Sequence, residues 1–203
     1  GATSPPTFVP PTMTLPPGSP ASGKGECGGI GPFYFTPPGV DERGAPRPTS
    51  GVACDLGAFQ LQPGDPVAIL VTTEQDYDLS VAANTGDGLC SLREAIDNAN
   101  SGSRMRPDCD AGNSVRNLVQ FAPNVKHIVV SLAAGGNMPI GGYTTIDGGS
   151  AGVTLDGNGN TRIFSMSAGQ TATLHALNFI NASSSTGGAV ENYGVLTVTD
   201  SSF

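Results

Sequence analysis

"GLCSLREAIDNAN", residues 88–100, is the one stretch of this chain that reads as a strong helix, and its setting decides the fold. Ser91 stands where an N-cap belongs and Glu94 follows at the third position after it, the pattern of a capping box. Leu92, Ala95, Ile96 and Ala99 fall at i, i+3, i+4 and i+7 and make a single apolar stripe. Arg93 and Asp97 stand at i,i+4 spacing, which predicts a weak surface pair. Asn100 and the Ser-Gly after it supply the stop. The pattern therefore predicts a helix over 91–100 with one face that must cover something.

Everything around that helix reads as strand and turn. "VAILVTT" (67–73) alternates apolar and small residues with β-branched enrichment. After Asn113 come "NLVQFA", "HIVVSL", "YTTID", "VTLDG", "RIFSMS", "ATLHALNFI", "AVENY" and "VLTVTDSSF", separated by Gly, Asn and Ser with no helix between them. Such spacing suits a sandwich or barrel, or a parallel β-helix. Two echoes favour the β-helix. "TIDGG" (145–149) recurs as "TLDGN" (154–158), and Leu174, Leu177 and Phe179 are matched by Val198, Ser201 and Phe203 at a constant shift. The first rung of a β-helix exposes unpaired backbone and an apolar interior. An amphipathic helix laid across it covers both, so the helix reads as a lid.

Composition narrows the setting. A formal charge of −8, with Lys24 and Lys126 the only lysines, argues against nucleic acid, whose phosphates require clustered cations. No apolar run approaches the roughly 20 residues of a membrane helix. Four cysteines allow three pairings. Proximity favours Cys27 with Cys54 and Cys90 with Cys109, and the second bridge would pin the lid. Scarce Lys, abundant Thr, Ser and Asn and an even cysteine count point to an oxidising, extracellular location.

Five segments follow. Residues 1–23 are a Pro-rich arm or linker. Residues 24–62 form a small loop-rich unit, and residues 63–66 are a boundary. Residues 67–116 make the cap, and 117–203 the β-helix rungs.

The quoted residues also carry a family resemblance. "GDGLCSLREAIDNAN" resembles the signature of CSLREA-domain proteins, which precedes right-handed parallel β-helix repeats in bacterial surface and secreted proteins. The run from "NLVQFAPNV" to "LHALNFINASSSTGGAVENYGVLTVTDSSF" extends that likeness over 67–203. "GSPASGKG", "DERGAPRPTSGVACDLGAFQ" and the residues between them, within 18–60, resemble the C-terminal end of the choice-of-anchor Q domain, with Glu42, Leu56, Gln60 and Gly23 as departures. The resemblance implies an all-β, right-handed parallel β-helix in which the piece expected last comes first. Either the chain is cut from a longer array, or residues 1–62 of one copy complete the open last rung of the next. The second arrangement places assembly contacts at Val195, Leu196, Val198 and Phe203.

Catalysis and metal binding find less support. From Asn117 onward the ionisable residues are Lys126, His127, Asp147, Asp156, Arg162, His175, Glu191 and Asp200. Asp147 and Asp156, each before Gly, suit turns better than a carboxylate pair. Asp147, Asp156 and Arg162 converging in one cleft would favour an enzyme. Calcium has weak candidates in Asp108 and Asp110, with Asn113, and in Glu74, Asp76 and Asp78. The spacing fails the EF-hand register, so solvated acidic loops are expected and no cofactor is assigned. Asn181 heads an N-glycosylation pattern, "NAS". The sequence therefore predicts a structural, non-enzymatic extracellular protein that stacks head to tail on copies of itself. The alternative is part of a large adhesin, or of a β-helix that binds or cleaves cell-surface polysaccharide.

Overall fold

The computed structural model describes residues 65–81 and 86–203 and, upstream, two short strands. Strand β1 (Gly25–Glu26) pairs antiparallel with β2 (Ala53–Cys54), with Gly25 opposite Cys54. The chain divides into two compact units, Gly1–Pro63 and Gly64–Phe203. The expected arm over 1–23, the rest of 24–62 and the Cys27–Cys54 bridge lie outside the described residues.

The second unit is a parallel β-helix that begins with one strand and one helix. Strand β3 (Val67–Val71) and helix α1 (Leu92–Ser101) precede the first rung, made of β4 (Asn117–Phe121), β5 (His127–Val129) and β6 (Met138–Ile140). The second rung is β7 (Tyr143–Asp147), β8 (Val153–Asp156) and β9 (Phe164–Met166). The third is β10 (Thr171–His175), β11 (Leu177–Ile180) and β12 (Val190–Asn192), and β13 (Val195–Thr199) opens a fourth. Stacking aligns them into a five-stranded sheet, β13-β10-β7-β4-β3, and two three-stranded sheets, β11-β8-β5 and β12-β9-β6. Every pairing within these sheets is parallel.

Strand alternation builds the interior. Side chains two apart share a face, so each inward position stacks on its counterpart in the next rung. One column runs Ile69, Val119, Ile146, Leu174, Val198. A second runs Ile128, Leu155, Phe179, and Phe203 stacks on Phe179 with ring centroids 4.7 Å apart. Phe179 meets Phe164 edge-on at 6.0 Å. The shift seen in the sequence is thus a true rung: Leu174 pairs with Val198, Ser201 Oγ accepts from the Leu177 N–H at 3.1 Å, and Phe203 covers Phe179.

The other echo has a different meaning. "TIDGG" and "TLDGN" do not stack; they end β7 and β8, adjacent corners of one rung. Asp147 Oδ1 accepts the Gly149 N–H at 2.8 Å and Asp156 Oδ1 the Asn158 N–H at 2.8 Å. What repeats is the chemistry of a corner. A Cβ on Gly148 would lie 2.0 Å from the Ala176 carbonyl oxygen, so the neighbouring rung excludes a side chain there. Two other expectations change. "ATLHALNFI" is two strands, broken at Ala176 with φ +52°. Strand β6, "MPI", has no counterpart among the strands expected from sequence.

Leu174 is fully buried, whereas Thr173 beside it points outward. Leu174→Ala should lower stability by about 2–5 kcal/mol through the cavity it leaves. Thr173→Ala should stay within about 0.5 kcal/mol. Urea denaturation followed by circular dichroism measures both.

Candidate functional site

The two ends of the solenoid differ, and the site lies in that difference. The first end is closed. Ser91 is the N-cap of α1: its hydroxyl meets the Glu94 N–H at 3.3 Å, and its own N–H reaches Glu94 Oε2 at 3.0 Å. Gly102, at φ +62°, ends the helix in the left-handed conformation that suits glycine. Leu92, Ala95, Ile96 and Ala99 are buried in the common core with the Cys90–Cys109 disulfide, whose Cα atoms lie 4.8 Å apart. Burial pushes the Glu94 carboxyl above its ordinary value, and its Oε1 has no hydrogen-bond partner among the described residues.

Polar side chains close the rest of this end. Arg93 does not pair with Asp97. Its Nε and Nη2 each donate at 2.7 Å to the carboxylate of Asp76, and Nη2 also reaches the Gly136 carbonyl at 2.7 Å. Asp76 accepts the Ser131 N–H at 2.8 Å, and its side chain is only 3% exposed. Asp97 pairs with Arg106 at 2.7 Å instead. Glu74 Oε1 accepts from the N–H groups of Lys126 and His127 at 2.6 and 3.0 Å, and those bonds hold its carboxyl below the ordinary range. Asn100 donates to the Pro139 carbonyl at 2.8 Å and accepts the Gly141 N–H at 2.7 Å.

These contacts correct the expectation of solvated acidic loops. Glu74 and Asp76 terminate the strands of the first rung. Asp108 accepts the N–H groups of Gly86, Asp87 and Gly88. Asp110 lies 3.6 Å from Arg104, and burial raises its carboxyl above the usual value. Among the described residues no three Asp, Glu, His or Cys side chains are arranged to hold a metal ion, and no helix is long and apolar enough to cross a membrane.

The opposite end differs. Among the described residues strand β13 pairs only with β10 and forms the edge of its sheet. Leu174 is 0% exposed, but Val198, which continues its column, is 38% exposed and Phe203 70%. Leu196 continues the Thr144–Ala172 column and is half-buried. Val195 belongs to a different surface: it follows Tyr143 and Thr171 on the outer face.

Beside this edge lies a groove of about 550 Å³ lined by Gly149, Gly152, His175, Asn178, Asp200 and Ser202 among others. His175 is held between rungs, with Nδ1 2.8 Å from Asp147 Oδ1 and Nε2 3.1 Å from Asp200 Oδ2. Both ring nitrogens face carboxylates, so neither is directed at a hydroxyl that it could activate. Ser201 donates to the Thr199 carbonyl at 2.9 Å, and the Ser202 hydroxyl meets Asn178 Oδ1.

Asp147, Asp156 and Arg162 do not converge. Asp147 ends β7, while Asp156 and Arg162 stand at the two ends of the loop between β8 and β9, each with separate partners. Asp156 holds His127 at 3.3 Å and Asn181 at 3.1 Å, and turn and amide hydrogen bonds depress its carboxyl against the opposing effect of burial. Arg162 pairs with Glu191 at 2.9 Å and binds the carbonyls of Thr186 and Gly187, pinning the loop before β12. Asn181 is exposed at φ +49°, and its amide nitrogen is the donor to Asp156.

Several residues that organise these ends escaped the sequence reading. Asp76, Glu74 and Asn100 act on backbone groups 39 to 55 positions away, which no local pattern marks. Asn98, fully buried beside the apolar stripe, binds the Arg106 N–H and the Asp110 carbonyl to shape the loop after the helix. Comparisons with family models, characterised proteins and solved structures find no match to this chain.

Removing Arg93 strands a buried carboxylate. Arg93→Ala should therefore cost about 3–5 kcal/mol, against about 1 kcal/mol for Ser91→Ala, both read from urea midpoints. Glu74 has a folded-state pKa below its unfolded value, so its contribution is complete above pH 4.5 and is lost as pH falls through the folded value. Glu74→Gln should flatten that acid-side loss in a pH series of denaturation curves.

Proposed function

We propose that this chain is a non-catalytic structural component of an extracellular or cell-surface assembly, joined head to tail through the open end of its β-helix. The observation that carries this reading is the asymmetry of the ends. Side chains bind backbone groups of the first rung at several points, while among the described residues β13 leaves a strand edge, with Leu196 half-buried and Val198 and Phe203 exposed. An exposed parallel edge above an apolar column is a template for another β-rung. The likeness of 18–60 to a β-helix closing segment names the occupant: residues 1–62 of a second copy. A contact between unlike surfaces repeats without closing unless its rotation happens to close a ring.

The disulfide and the two lysines in the whole chain support an oxidising exterior. The histidine nitrogens already occupied by carboxylates, and the separate partners of Asp147, Asp156 and Arg162, support a role without catalysis.

Light scattering and negative-stain microscopy of the 203-residue chain over a concentration series test this. Wild type should form linear particles that lengthen with concentration. Val198→Asp should leave single molecules with a nearly unchanged urea midpoint, because the site is at the edge. Added to wild type, it should shorten the particles in proportion to dose, since its intact start still docks on a wild-type end. A wild type that stays a single molecule throughout overturns the assembly reading. Particles of no more than two copies, unaffected by the variant, overturn the head-to-tail geometry.

A further inference from the structure

The His175 column makes a demand that stacking does not explain. A carboxylate only accepts hydrogen bonds, and a neutral imidazole carries a single N–H. His175 places Nδ1 2.8 Å from Asp147 and Nε2 3.1 Å from Asp200. Only the imidazolium can donate to both. In either neutral tautomer one ring lone pair faces a carboxylate, and one of the two contacts is repulsive.

We infer that His175 is a proton-operated latch that ties the last rung to the rung two below it. Asp147 ends β7, His175 ends β10 and Asp200 follows β13, so the ring bridges three successive layers. Asp200 holds φ +50° and its side chain is 78% exposed. The Asp200 side chain, mostly in solvent, therefore has room to swing outward when the Nε2 contact fails. The other side of this corner is less dependent on the proton: the Ser202 N–H donates to the Leu177 carbonyl at 2.9 Å and Ser201 Oγ accepts from the Leu177 N–H at 3.1 Å. Loss of the proton thus releases the Asp200 corner and widens the groove against Gly149–Gly152, while the strand pairing of β13 persists.

The charged environment is simple. Asp147 from β7 and Asp200 from the last rung are the ionisable groups that face the ring; β10 itself and the Gly149–Gly152 turn contribute none. The hydrogen bond donated to Asp147, then that residue's charge and the contact with Asp200, raise His175 above its ordinary 6.5 against the lowering effect of desolvation. A raised histidine stabilises the folded corner fully below the unfolded value, and that contribution is lost as pH rises through the folded value. The latch is closed in acid and open in base. His127 contacts one carboxylate, Asp156, and a single N–H satisfies that geometry.

The chain contains only two histidines, so imidazole signals are readily assigned by NMR with His127→Gln as the reference. A pH titration of the full chain, at a concentration where scattering shows single molecules, should place the His175 midpoint above 6.5. Asp200→Asn should lower it. Amide exchange near Asp200, corrected for its intrinsic pH dependence, should speed up across that midpoint. The gain should be about tenfold for each unit by which the midpoint exceeds the ordinary value. His175→Gln should remove the step while the Leu174 amide keeps its protection. A midpoint at or below 6.5, a midpoint indifferent to Asp200→Asn, or exchange without a step overturns the latch. None of these readouts depends on whether copies stack, so failure of the assembly reading leaves this test intact.

Discussion

The buried pair between Arg93 and Asp76 ties together the parts on which the β-helix depends. One guanidinium holds the carboxylate after β3, sits in the first turn of the capping helix and reaches the Gly136 carbonyl ahead of β6. The carboxylate in turn holds the Ser131 N–H after β5. Two ions removed from water are costly unless their geometry is good and the remaining donors and acceptors are used. Here the contact is bidentate, and each partner makes a further bond to backbone. The pair orients the lid while occupying polar groups that a parallel sheet leaves unpaired at its first strand.

A solenoid extends by nearest-neighbour stacking, so its stability accumulates rung by rung while its ends remain defects. In this chain polar side chains and the helix cover the first strands, whereas β13 is an exposed edge among the described residues. Ile69, Val119, Ile146 and Leu174 are each fully buried, and Val198 repeats their geometry while remaining exposed. Phe203 is likewise the next ring of the Leu155–Phe179 column. The exposed face thus carries the same apolar columns as the interior, in the same parallel register. Edge charge, proline and bulges, the usual protection of an exposed strand, are missing from "VLTVT" itself.

The features legible in the sequence were those encoded locally. The capping box, the apolar stripe and the cysteines beside the helix sit within a few positions of one another, so α1 and its anchoring could be read directly. The rung length was legible because Leu174, Leu177 and Phe179 repeat their spacing at Val198, Ser201 and Phe203, the phenylalanine in identity as well. What escaped was long-range or disguised. Arg93 has a carboxylate at i,i+4, but burial under the loop after β3 turns it toward Asp76. "MPI" contains a proline and follows a glycine pair, so strand β6 carries no propensity signal of its own and is fixed by parallel pairing with β9. The Asp-Gly echoes were real but belonged to corners, because a three-sided coil repeats its turn chemistry several times per rung.

That distinction explains how an acidic protein stacks its corners. Parallel in-register pairing puts identical positions beside each other, and like charges there repel. The corner columns avoid this throughout. Asp147 lies between Gln120 and His175, with Thr199 beyond, and Asp156 lies between Val129 and Ile180, with His127 and Asn181 turned onto it. No two carboxylates are register neighbours in either column, despite a formal charge of −8. Both histidines of the chain turn a ring nitrogen onto one of these corner aspartates. A lysine would neutralise an aspartate at any physiological pH. Histidine makes the neutralisation conditional, and at Asp200 it does so beside β13, the edge strand of its sheet among the described residues.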